Sequence, residues 1–157
     1  MSGSPVRLLL HVPVPWVFVG CYLLGVGLER FGPAGIRSAG PWIGSTAGAV
    51  LFIAGAVIAG WSLWIFHRAR TTTTPGERSN ALITRGPYRF SRNPMYVGLT
   101  LAYLGEAGIL GQNWPVVLLP LTLAYVNWIV IPLEESRLSE VFPAEYTEYR
   151  ARVRRWI

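Results

Sequence analysis

Residues 85 to 96 read Arg85-Gly86-Pro87-Tyr88-Arg89-Phe90-Ser91-Arg92-Asn93-Pro94-Met95-Tyr96. Asn93 before Pro94 is a helix-start signal: asparagine suits the cap, and proline suits the first helical position, where no N–H is needed. The N–H groups of that first turn and the positive end of the helix dipole then lie beside Arg89 and Arg92. Such a set of donors suits a carboxylate or a phosphate. The plainer reading is that these arginines flank an apolar segment and only orient it. Further along, Pro132-Leu133-Glu134-Glu135 ends an apolar run with two adjacent carboxylates, which are costly there unless solvated or paired. Simple charge complementarity at a helix start is the alternative.

Beyond the glutamates, Phe142, Tyr146, Tyr149, Arg150 and Val153 recur at helical spacing. The stripe predicts an amphipathic helix lying in an interface. Other chemistries find no support. The chain has no lysine and so no phosphate-binding loop of the usual kind. Gly25-Val26-Gly27 lacks the third glycine of a dinucleotide fingerprint, and no serine sits in a nucleophile elbow. Cys21 cannot form an internal disulfide, and one cysteine with His11 and His67 far apart makes no metal site. His67 ends an apolar run and reads as an interfacial residue. Glu106, deep in another, is expected near the opposite face, meeting Arg30, Arg37 or water rather than doing chemistry.

These residues must be positioned by apolar helices. Of 157 residues 52% are hydrophobic and only 14% charged, against about 25% charged in soluble domains. So few charges cannot cover a water-facing surface, and the chain reads as one all-α integral membrane domain. Four spans are predicted, at about 8–28, 41–66, 94–110 and 114–133. The first sits too late, runs too long and lacks the small-residue cleavage site of a removed signal peptide. The second runs 26 residues without a charge, about 39 Å of helix, so it tilts or protrudes. Its Gly44, Gly48, Gly55 and Gly60, with Ala47, Ala54 and Ala59, suit close helix–helix approach. Spans three and four, joined by Gly111-Gln112-Asn113, are expected to form a helical hairpin with a kink at Pro120.

All fourteen basic residues are arginine and all eight acids glutamate, for a net charge of +6. The arginines fall in loops beside apolar runs, which argues for topology and against nucleic acid. With the N-terminus inside, twelve arginines lie inside and only Arg30 and Arg37 outside. Both termini are therefore predicted to be cytoplasmic, in a cell inner (plasma) membrane. The loop 67–93, which includes Thr71 to Thr74 and a Pro75-Gly76 turn, and the tail 134–157 then share one face and form the site.

The stretch GPYRFSRNPMYVG at 86–98, followed by EESRLSEVFPAEYTEYRARVRRWI, resembles the isoprenylcysteine carboxyl methyltransferase family, to which the phospholipid N-methyltransferases are related. The resemblance covers roughly residues 41–157. It implies a membrane enzyme that uses S-adenosylmethionine, with S-adenosylhomocysteine as product, in a cytoplasm-facing pocket. The positions it assigns to the cofactor are Gly86, Pro87, Tyr88, Arg89, Arg92, Asn93, Pro94, Tyr96, Glu134 and Glu135. Phe142, Tyr146, Tyr149 and Arg150 match the segment that closes over it. Family members usually carry histidine where Asn93 stands. Asparagine can cap and hydrogen-bond but cannot exchange a proton near neutrality.

The chemistry of these residues fits the implied cofactor. Arginines and helix N–H groups suit its carboxylate, glutamates its ammonium or ribose diol, and tyrosine faces its adenine and sulfonium. Methyl transfer needs aligned partners and a dry site, with no metal. An acceptor carboxylate is already ionised and needs no base, so carboxylate O-methylation of a small lipophilic or lipid acceptor is favoured. Arg150 would orient the acceptor and Glu134 fix the cofactor, with the acceptor entering sideways from the membrane lipids. Phospholipid or amine N-methylation and thiol methylation are the alternatives within the class. A non-catalytic helical bundle binding lipid or a partner is the alternative outside it.

Overall fold

The computed structural model describes residues 13–32, 41–69 and 81–157. Every regular element among them is helical: α1 (Val14–Glu29), α2 (Pro41–Arg68), a 3-10 turn (Gly86–Arg89), α3 (Pro94–Leu110), α4 (Trp114–Tyr125), a π turn (Val126–Val130), α5 (Ile131–Val141) and α6 (Pro143–Arg152). Arg7, His11, Arg37, Arg70, Arg78 and the Thr71–Gly76 turn lie outside the described residues, as does the start of the first predicted span.

Two helices are long and apolar enough to cross a bilayer, Gly44–Arg68 with 25 residues and the continuous helix Trp114–Val141 with 28. The other two are short. With 16 and 17 residues, α1 and α3 measure about 24 and 26 Å, less than a hydrocarbon core of about 30 Å. Large apolar side chains point outward all round, among them Trp16, Leu23, Val50, Ile53, Val57 and Leu121. A water-soluble protein would bury these, whereas lipid accepts them.

The limits of α3 follow from local chemistry. Pro94 occupies its first position, and Gly111 ends it with a left-handed φ of 64°. Glu29, from the end of α1, accepts hydrogen bonds from the backbone N–H groups of Asn113 and Trp114, the latter at 2.8 Å. A carboxylate thus caps α4 from another helix, where the dipole favours it. Glu106 lies near Tyr22 at the same end, and Tyr22 donates to Gln112 at 2.8 Å. Arg30 is exposed.

α3 and α4, the predicted third and fourth spans, are consecutive, but their packing is not that of an isolated hairpin. α3 packs most extensively on α2, and α4 on α1. Small residues decide this. A Cβ on Gly48 would lie 2.7 Å from the Gly105 carbonyl oxygen, and one on Gly98 would lie 2.6 Å from the Ala59 nitrogen. Gly55 meets the Ala102 backbone in the same way, and Gly105 meets that of Phe52. On the other pair, Gly25 admits Pro115, whose nitrogen a Cβ would approach to 2.6 Å. Gly60, expected in the α2 contact, has open space around it.

The hydrogen-bonding pattern of the long helix changes at a different place from Pro120. Helical geometry continues through Pro120, and the departure comes at the π turn, where Ile131 N–H bonds to the Val126 carbonyl. One residue later Pro132 has no N–H to give, and the wider turn is a way for the helix to pass it. The helix therefore runs on to Val141, and Glu134 and Glu135 sit within it rather than at a new helix start.

The tail differs from a helix lying free in the interface. α6 has only ten residues and buries Tyr146 and Tyr149, while Val153 is already in extended backbone with φ −122° and ψ 130°. The protein itself takes up the aromatic face.

Candidate active site

Gly86 opens the loop with φ of 63°, and a Cβ there would also run into Ile65 of α2. The positive φ calls for glycine, whereas the Ile65 methyl could give way. The turn that follows lays Tyr88 on α2. Its ring lies 5.4 Å from that of Phe66, its hydroxyl meets Ser62, and Ile65 and Ile83 complete a small core. Pro87 and Tyr88 are buried, whereas Arg89 and Phe90 are exposed.

α6 closes on this loop from the other side. Tyr149 donates its hydroxyl to the Tyr88 carbonyl at 2.7 Å. Burial, before any charge, holds the Tyr149 hydroxyl protonated well above the usual tyrosine range. The same holds for Tyr88, with Tyr149 and Glu134 adding to the effect. Arg92 donates to the Tyr146 hydroxyl at 3.1 Å and pairs with Glu135 at 2.9 Å. Arg155 forms a two-pronged bond to the same carboxylate at 3.2 and 2.6 Å. Arg92 and Glu135 are largely buried, at 11% and 14% side-chain exposure, so this is an enclosed charge cluster.

Its neighbour Glu134 has a different environment. Tyr96 of α3 donates to it at 2.7 Å. Tyr88 and Tyr125 stand close to the same Tyr96–Glu134 pair. The two glutamates, adjacent in the chain, are thus divided between a pair of arginines and a group of phenols. Among the described residues the buried Arg92 Nε–H has no hydrogen-bond partner, an uncommon condition for a buried donor.

The structure brings together Gly86, Pro87, Tyr88, Arg92, Asn93, Pro94, Tyr96, Glu134, Glu135, Tyr146 and Tyr149. It leaves Arg89 and Arg150 exposed, Arg150 acting electrostatically on Tyr146. His67 is exposed at the end of α2. Asn93 stands at the cap position of α3, but its side chain does not cap the helix. It donates instead to the Arg155 carbonyl at 2.9 Å.

Arg155 carries no local signal in the sequence beyond its charge, and the partners Ser91, Asn127 and Trp156 emerge only in the fold. The available signal for Trp156 was its type, because a half-buried indole N–H ordinarily finds an acceptor.

Apolar, outward-facing helices carrying an enclosed cluster of arginine, glutamate and tyrosine are the features of a membrane protein with a polar candidate site. Residues 43–145 match the phospholipid methyltransferase family, and the chain belongs to that family, which includes isoprenylcysteine carboxyl methyltransferase-like proteins. The match takes in the loop, α3, the π turn and both glutamates. The chain is also similar to the cobalt-zinc-cadmium resistance protein CzcN of Cupriavidus metallidurans, 35% identical over 77 residues. That alignment covers 49% of this chain and 35% of the relative. No solved structure matches the chain.

Proposed function

We propose that the protein is an S-adenosylmethionine-dependent methyltransferase that acts on a small lipophilic acceptor at the membrane boundary, with carboxylate O-methylation as its reaction. The observation that carries this is the division of the glutamate pair. Glu135 is taken up by Arg92 and Arg155, while Glu134 is held by a neutral tyrosine hydroxyl among tyrosines. The donor set fits the cofactor. Arg92 has a buried N–H with no partner among the described residues, available to a carboxylate, Glu134 suits an ammonium or a diol, and Tyr88 and Tyr96 supply aromatic faces for a sulfonium.

When bound, the cofactor supplies a methyl group that forms a bond to the acceptor oxygen as its bond to sulfur breaks, leaving a thioether and an ester. No proton moves. The chain's part is to hold both partners in line and keep water out. Tyr149 ties α6 to the loop, Arg92 and Glu134 bind, and exposed Arg150 orients the acceptor carboxylate. N-methylation of a lipid amine is the second reading, favoured by the family's description. It requires an acceptor that has lost its proton.

The proposed topology has four spans, with α1 and α3 reaching across a locally thinned bilayer. Both termini face the cytoplasm from the plasma membrane, and the acceptor enters sideways from lipid.

Calorimetric titration of S-adenosylmethionine and S-adenosylhomocysteine into the purified protein, with Glu134→Gln beside it, tests the reading. Saturable binding that the variant weakens at least tenfold is expected, as for a lost charge-assisted hydrogen bond of about 1.5–3 kcal/mol. No binding by folded protein in lipid nanodiscs would leave a non-catalytic bundle. Methyl uptake by lipophilic acids but not by lipid amines would then separate the two acceptor classes.

A further inference from the structure

Residues 153–157 leave α6 as a bent, non-helical strap that ties three elements together, and they lie beyond residues 43–145, the part of the chain that matches the family. The Arg154 carbonyl accepts from the Arg92 N–H at 2.9 Å. The Arg155 carbonyl accepts from Asn93 Nδ2 at 2.9 Å and from the Ser91 hydroxyl at 3.3 Å. Two side chains of this strap reach the long helix. The Arg155 guanidinium reaches Glu135 of α5, while the Trp156 indole N–H reaches Asn127 Oδ1 in the π turn at 3.0 Å. Trp156 also packs against the main hydrophobic core.

The strap thus grips the long helix at two points, Asn127 and Glu135, that lie on either side of Glu134 in the chain. It grips the loop at residues 91–93, which carry Arg92. Neither Trp156 nor Asn127 belongs to the site itself.

We propose that Trp156 and Asn127 are positioning residues of the cofactor site: their hydrogen bond sets the strap in register, and the strap holds Arg92 against the helix that carries Glu134. This rests on the methyltransferase reading for its ligand, though not for its geometry. Asn127 lies in the π turn, a feature that recurs at functional sites.

The test uses the whole protein in lipid nanodiscs with S-adenosylhomocysteine as probe. Trp156→Phe removes the donor and keeps a ring; Asn127→Leu removes the acceptor; Asn127→Asp restores one. Each of the first two weakens binding about fivefold, the cost of one neutral hydrogen bond. The double variant is no weaker than either single one, and Asn127→Asp binds like the unaltered protein. In parallel, the Arg92 amide exchanges its hydrogen faster in Trp156→Phe.

Single variants that bind normally, or a double variant whose loss is the sum of the two, would overturn the proposal. If the unaltered protein bound no S-adenosylhomocysteine, the methyltransferase reading would fall. Exchange at Arg92 would still judge the strap, and unchanged protection in Trp156→Phe would reject it.

Discussion

Glu134 and Glu135 differ in partner far more than their adjacency suggests, and their substitutions should differ accordingly. Glu135→Gln removes the countercharge of Arg92 and Arg155 inside a largely buried cluster, so a loss of about 3 kcal/mol of stability is expected. Glu134→Gln keeps an oxygen to accept from Tyr96 and should change stability by less than about 1 kcal/mol while weakening cofactor binding. Reversible unfolding in mixed detergent micelles reads the first effect and titration the second. Equal stability losses in the two variants would contradict the division of labour. The type and position of both residues were legible in the sequence. Which carboxylate met the arginines was not.

At the scale of elements, the contact between α2 and α3 is set by backbone approaching backbone. Gly105→Ala places a Cβ against the Phe52 nitrogen, which no rotamer change relieves, and should cost about 1–3 kcal/mol through overpacking. Gly60→Ala, on the same α2, faces open space and should be neutral or stabilising by up to about 1 kcal/mol. Thermal unfolding of the two variants checks the contrast, and similar melting points would mean that the two helices are not in close contact at Gly105. The small residues of α2 were evident as a group in the sequence. Their partners Gly98, Ala102 and Gly105 were not, because a glycine in an apolar run looks alike whether it faces a helix or lipid.

For the whole molecule, the arginine asymmetry carries a topology that labelling can check. In a Cys21→Ser background, Arg30→Cys is expected to react with a membrane-impermeant thiol reagent added to intact cells. Arg154→Cys should react only after the membrane is opened. Both side chains are exposed, so failure to label cannot be ascribed to burial within the protein. Labelling of both from outside would place α1 and the strap on one side and reduce the number of spans between them.

Features that depend on neighbouring residues were readable in advance. Pro94 and Gly111 mark the limits of α3, Trp114 opens α4, and the scarcity of charge places the chain in a membrane, because each follows from local backbone chemistry or composition. Features that depend on how helices are rotated against one another were not. Consecutive residues on a helix point about 100° apart, so only the phase of α5 assigns Glu135 to the arginines and Glu134 to the tyrosines. The π turn at Val126–Val130 adds a residue to one turn and shifts that phase. A count of helical spacing carried forward from Trp114 therefore misplaces both glutamates. The strap is likewise tertiary in origin: Trp156 and Asn127 lie far apart in the chain and meet only when α4, the loop and α6 have all packed.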